Sequence, residues 1–478
     1  MIARLPTHVP GLDAILHGGL PMNSTILISG APGTGKTTLA NQILFHNAGA
    51  EMPALFISTV SEPQPRLLQY IQQYRFFDID KIGSAIQFEE LGSHLLEKNG
   101  DSAIRRIEEL VIRYQPRLLV VDSFRSLLDL SEHHAATRRA IFRLASMLTS
   151  MPCTTLLVGE YQRAELSTTI ESTIVDGIIS LDNQPIDLRD LRSLRVVKLR
   201  GSNYDAGEHS LEITEEGLRV YPRFRTPETP RHYDVSQQRV PLGIPGFDDR
   251  LLPGGLLQGT TTLVGGDPGI GKTVTALHFL LNGAAQGESS LYISFQEDPR
   301  QLRSIAENFG LSPSVQEERG TFHLAYTSPV ELDLDKHAYV MLETIKRTRA
   351  RRVVIDSISD LQAAAHRGHS RFFDFVYSLV QWFKDYGITA MLTAEMGSIF
   401  ASELTLTGRG VSHIADNILL MRYTEIDGEI RRALTMLSAR GSSHSQKVFE
   451  YLIDETRGPR LGNPISSAFS TFRESQRM

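Results

Sequence analysis

Gly30-Ala31-Pro32-Gly33-Thr34-Gly35-Lys36-Thr37 follows the apolar run Thr25-Ile26-Leu27-Ile28-Ser29 and precedes a helical pattern that opens near Thr38. The order is strand, glycine loop, helix. Glycines let successive backbone N–H groups turn toward one centre with no Cβ in the way, and the helix behind them offers unpaired N–H groups and the positive end of its dipole. An anion fits there. Lys36 has the reach to touch the β- and γ-phosphates of a nucleoside triphosphate, and the Thr37 hydroxyl is the type of ligand Mg²⁺ takes. This is a Walker A loop, and it recurs at Gly266-Asp267-Pro268-Gly269-Ile270-Gly271-Lys272-Thr273. The expected ATP-binding residues are Gly30, Gly33, Thr34, Gly35, Lys36, Thr37 and Thr38 in the first copy, and Gly266, Gly269, Ile270, Gly271, Lys272 and Thr273 in the second.

Working outward, the repeat extends far beyond the loops. Gly11-Leu12-Asp13 with Gly18-Gly19-Leu20 returns as Gly246-Phe247-Asp248 with Gly254-Gly255-Leu256. Leu118-Leu119-Val120-Val121-Asp122-Ser123 is matched by Val353-Val354-Ile355-Asp356-Ser357, and Leu156-Leu157-Val158-Gly159-Glu160 by Met391-Leu392-Thr393-Ala394-Glu395. Corresponding points lie roughly 235–240 residues apart, the span of one large α/β domain. The chain is a tandem duplication. Apolar β-branched runs alternate with helical patterns in each copy, which predicts an α/β fold of two tandem P-loop domains, each a mostly parallel twisted sheet flanked by helices. The expected boundaries are 1–221 and 240–460, with a proline-containing linker at 222–239 and a loose polar tail at 461–478. Phe372 to Phe383 is aromatic-rich, and its spacing is that of a helix packed on a sheet.

Composition narrows the classes. The 478 residues exceed what one core supports, and the net charge of −6 does not favour a polyanion partner. A single cysteine, Cys153, excludes an intrachain disulfide framework and a cysteine-rich zinc module. The apolar runs are strand-sized, shorter than the roughly 20 residues of a membrane span, and the expectation is a cytoplasmic protein.

Asp122 and Asp356 each end an apolar strand, where ligands of open α/β sheets bind, and are expected with Thr37 and Thr273 to hold Mg²⁺. Hydrolysis also needs a group that deprotonates or orients water. In the second copy Glu297, just after the run Leu291-Tyr292-Ile293-Ser294-Phe295, is the candidate base. The ungapped equivalent in the first copy is Ser61, with Glu62 as a substitute if the strand end bulges. The first site is therefore expected to bind ATP well and the second to do more of the chemistry.

The conjunction of these motifs, from about Thr7 to Gly458, resembles the KaiC family, double-domain RecA-like ATPases that include the cyanobacterial circadian clock kinase. The resemblance implies a homo-oligomer, a ring of six with ATP at subunit boundaries, and a KaiB-like or other signalling protein as partner. It also implies a Lys-x-Arg pair reaching a neighbour's nucleotide, here Lys198 and Arg200; the second copy has Ser438 and Arg440. The family's adjacent Ser-Thr phosphoacceptors correspond to Ser412 and His413, so the resemblance makes Ser412 the candidate site of autophosphorylation. Two other classes fit the RecA-like core: a DNA-acting motor, and a nucleotide-gated scaffold with little turnover. DNA action calls for basic channel loops. Residues 396–409 hold one Arg and one Glu, and Arg163 is balanced by Glu165 and Glu171.

Overall fold

The computed structural model describes residues 3–59, 64–91, 100–129, 134–167, 169–186, 189–227, 237–328, 333–364, 369–395, 414–455 and 458–465. It divides into two compact units, Met1–Arg223 and Phe224–Met478. Glu62, Ser412, His413 and the loop 396–409 lie outside the described residues.

In the first unit the strand Thr25–Gly30 is central, flanked in parallel by Thr154–Gly159 and Gly177–Ile186. Leu118–Asp122, Ala54–Ser58 and Ile86–Glu90 extend the parallel sheet on one side. Arg189–Leu199, His209–Thr214 and Gly217–Tyr221 extend it antiparallel on the other. Among the described residues this makes one nine-stranded sheet, and the second unit repeats the strand order.

Each central strand is apolar on both faces because both are covered. Ile26 and Ile28 join Leu39, Ile43 and Leu44 of the helix Lys36–Asn47, while Leu27 joins the helices Gly100–Tyr114 and His134–Ser150 through Ile104, Ile107 and Leu144. Alternation along the strand sends successive side chains to opposite layers. In the second unit Val264 packs with Leu277 and Leu280 of the helix Lys272–Ala285, and Leu263 packs with Phe372, Phe375, Leu379 and Phe383 of the helix His369–Asp385. Apart from the exposed Tyr377, the aromatic run packs into the core, as its spacing predicts.

The segments expected to be loose are partly tied down. Phe224, inside the expected linker, belongs to the second unit: its N–H donates to Asp335 Oδ1 at 3.1 Å and its ring lies 5.5 Å from that of Phe375. Gly458–Pro464 is an edge strand paired with Phe449–Asp454, so the expected tail at 461 starts within a strand. Proline and glycine are tolerated at a sheet edge, and they hide the strand from a pattern-based reading.

Candidate functional site

In both units the glycine loop links the C-terminal end of the central strand to the first turn of a helix. Gly35 and Gly271 precede those helices with φ of 99° and 111°, in the left-handed region. A Cβ would lie 2.8 Å from Ile213 Cδ1 in the first unit and 2.5 Å from Ile453 Cδ1 in the second. Only glycine fits the turn, and the N–H groups of the first helical turn face the loop with no side-chain cap.

Lys36 is buried with Nζ donating to the Ala31 carbonyl at 2.8 Å; Lys272 is buried with Nζ donating to the carbonyls of Gly266 and Asp267, both at 3.0 Å. Burial lowers the pKa of both ammonium groups, opposed by negative charge from Glu160 and Asp122 in one case and led by Glu395 and Asp356 in the other. A phosphate would replace those carbonyls with a full opposite charge.

Thr37 Oγ1 donates to Asp122 Oδ2 at 2.6 Å, and Thr273 Oγ1 to Asp356 Oδ2 at 2.8 Å. Loop hydroxyl and strand-end carboxylate thus converge in both units. Two hard oxygen groups beside a phosphate cradle fit Mg²⁺, which usually takes one or two carboxylates plus substrate phosphates. In the first unit a cavity of about 530 Å³ joins Lys36, Thr37, Asp122 and Glu160 to an apolar wall of Leu67, Ile71, Tyr74 and Ile213.

Glu297 follows the strand Ser290–Ser294 and is half-buried. Burial, then the negative charge of Asp356, raises its carboxyl pKa, and its own charge is felt by Lys272. The structure therefore brings Glu297, Lys272 and Asp356 into one electrostatic site.

Lys198 and Arg200 are not among the residues lining the Lys36 cavity. Lys198 Nζ donates to the carbonyls of Ser172 at 2.9 Å and Val175 at 2.7 Å, and burial lowers its pKa. Arg200 donates to the Thr173 carbonyl at 3.1 Å and lies 3.9 Å from Asp176. The Arg440 N–H donates to the carbonyl of Asp416, whose carboxylate receives Lys384 at 2.7 Å. Arg163 is paired with Glu208 at 2.8 Å.

Glu160 and Glu395, which no motif singles out, exert the strongest charge effect on the two loop lysines. Their signal in the sequence is positional: each follows the apolar run of the strand beside the phosphate-loop strand, in both copies.

A family model described as "ATPase: KaiC" matches residues 5–225 and again 240–462. Curated relatives match along nearly the whole chain. The circadian clock oscillator protein KaiC of Rippkaea orientalis is 28% identical over 476 residues, covering 96% of this chain and 89% of the relative. KaiC 1 of Synechocystis sp. is 29% identical over 476 residues, covering 96% and 89%, and KaiC of Thermosynechococcus vestitus 29% over 486 residues, covering 98% and 90%. Among the described residues no helix is long and apolar enough to cross a membrane.

Proposed function

Because the chain belongs to the KaiC family of two-domain ATPases, we propose that each unit binds ATP with Mg²⁺ and that the second unit carries most of the hydrolysis. The observation that supports this reading is the convergence, built twice, of a loop lysine, a loop hydroxyl and a strand-end carboxylate at one helix N-terminus. Backbone N–H groups of each loop hold the phosphates, and Lys36 or Lys272 turns from the loop carbonyls to the β- and γ-phosphates. Thr37 with Asp122, and Thr273 with Asp356, hold the metal ion, whose charge offsets that of the phosphate oxygens. Glu297 takes a proton from the attacking water. In the first unit the ungapped sequence equivalent of Glu297 is Ser61, which is not a base, so its site is proposed mainly to bind.

The relatives are named circadian clock oscillator proteins, and the corresponding role here is signalling by a nucleotide-dependent homo-oligomer, with a hexameric ring as the proposed form and a KaiB-like protein as the proposed class of partner. Lys198, Arg200 and Arg440 are proposed to act across a boundary between copies, and Ser412 is the proposed phosphoacceptor, for which loss of labelled phosphate in Ser412→Ala is the test.

Steady-state ATPase of Lys36→Ala and Lys272→Ala tests the division of labour. Lys272→Ala is expected to lose at least tenfold in turnover while Lys36→Ala keeps most of it and assembles less well. Turnover that vanishes in Lys36→Ala and survives in Lys272→Ala would overturn the assignment.

A further inference from the structure

Asp356 is held by more than the loop threonine. Its Oδ2 accepts from Thr273 and from the Tyr292 hydroxyl, and its Oδ1 accepts from Thr393 Oγ1. The register explains the convergence. Tyr292 pairs with Val354, two residues before Asp356 on the neighbouring strand, and Thr393 lies one step beyond the Ile355–Leu392 pair. Side chains two apart on a strand share a face, so Tyr292, Asp356 and Thr393 all meet the layer of the helix Lys272–Ala285. Tyr292 is fully buried, and its hydroxyl donates to the carboxylate. The first unit has Phe56 and Val158 at the corresponding register positions, and neither side chain carries a hydroxyl.

We propose that Tyr292 and Thr393 are positioning residues that fix the Asp356 carboxylate for a divalent cation, a role that Phe56 and Val158 at the same register positions of the first unit cannot fill. Two donors on Oδ2 and one on Oδ1 stop the carboxylate from turning and leave acceptor capacity on Oδ1 for the metal or its water. In the first unit the equivalent hydroxyls are replaced by apolar side chains. The inference rests on the reading of both loops as sites for ATP and metal.

The test is a Mn²⁺ titration of the full chain, followed by electron paramagnetic resonance, with a non-hydrolysable ATP analogue present. Wild type is expected to show two classes of site, and Lys272→Ala to remove the one that the second unit holds. Tyr292→Phe should weaken that class by roughly 10-fold or more and leave the other unchanged. Thr393→Val should act in the same direction, and Thr393→Ser, which keeps the hydroxyl, should restore wild-type binding. The fluorescence of Trp382, the only tryptophan of the chain, reports whether the second unit stays folded. An unchanged isotherm in folded Tyr292→Phe and Thr393→Val overturns the positioning role. Absence of any nucleotide-dependent Mn²⁺ binding in wild type overturns the two-site reading and this inference with it.

Discussion

Glu297 sits beside Asp356 in a half-buried position, and that placement raises its proton affinity in the direction a base needs. Burial is the first cause and the neighbouring carboxylate the second. Glu297→Gln keeps the shape and removes the basic oxygen, so turnover at the second site should fall by about 10²-fold or more while nucleotide binding holds. A base works deprotonated. Because the folded pKa is raised, the acid limb of the pH–rate profile should lie above the ordinary carboxylate range, with activity lost as the pH falls through it. That limb should disappear in Glu297→Gln, and a profile identical to wild type would remove Glu297 from the mechanism. The residue was legible in the sequence because it follows a strand in a recognisable frame. Tyr292 was not, since an aromatic in an apolar strand looks like core until the neighbouring strand places a carboxylate against its hydroxyl.

At the scale of elements, the phosphate-loop strands and the helices behind them follow from local pattern, as does the buried aromatic helix His369–Asp385. The edge strand Gly458–Pro464 does not. Its two prolines and two glycines carry no alternation, yet Leu461 is buried, pairs with Tyr451, and donates its N–H to the Pro245 carbonyl at 2.9 Å, while Arg250 donates to its carbonyl. The strand exists because a hydrophobic slot, a backbone carbonyl and a guanidinium await it. Leu461→Ala should therefore destabilise the second unit by roughly 2–3 kcal/mol, read as a lower urea midpoint of Trp382 fluorescence. An unchanged midpoint would mean that the edge strand contributes little to the unit's stability.

For the whole molecule, duplication has left two units of the same strand order with unequal interiors. The second unit buries His278 and His337, each with Nε2 unpartnered among the described residues and each held by burial at a pKa of about 4, with Asp333 pulling His337 weakly upward. The first unit has Gln42 where the loop spacing puts His278, and its amide bonds the Leu218 backbone at 2.7 and 3.2 Å. The sign of the linkage follows from the depressed pKa. Above about 6.5 both folded and unfolded imidazoles are neutral, so the contribution is complete. Between about 6.5 and 4 the unfolded chain binds protons that the folded unit refuses, and stability falls with pH by up to about 3 kcal/mol for each histidine. Urea unfolding followed at Trp382 should show the midpoint dropping between pH 7 and pH 5, less steeply in His278→Gln. A midpoint independent of pH in that range would mean that these imidazoles take up protons without unfolding.

The sequence by itself determined the architecture, the duplication, the two glycine loops and the two strand-end carboxylates. Each of these is written in local chemistry: glycines where the backbone must turn left-handed, apolar runs where strands are covered on both faces, and a carboxylate at a strand's C-terminal end. Tertiary structure alone decided what surrounds those groups. Glu160 and Glu395 act on lysines more than 120 residues away, and Tyr292 and Thr393 reach Asp356 from flanking strands. Lateral neighbours in a parallel sheet come from crossover connections, so the local pattern cannot name them until the register is set.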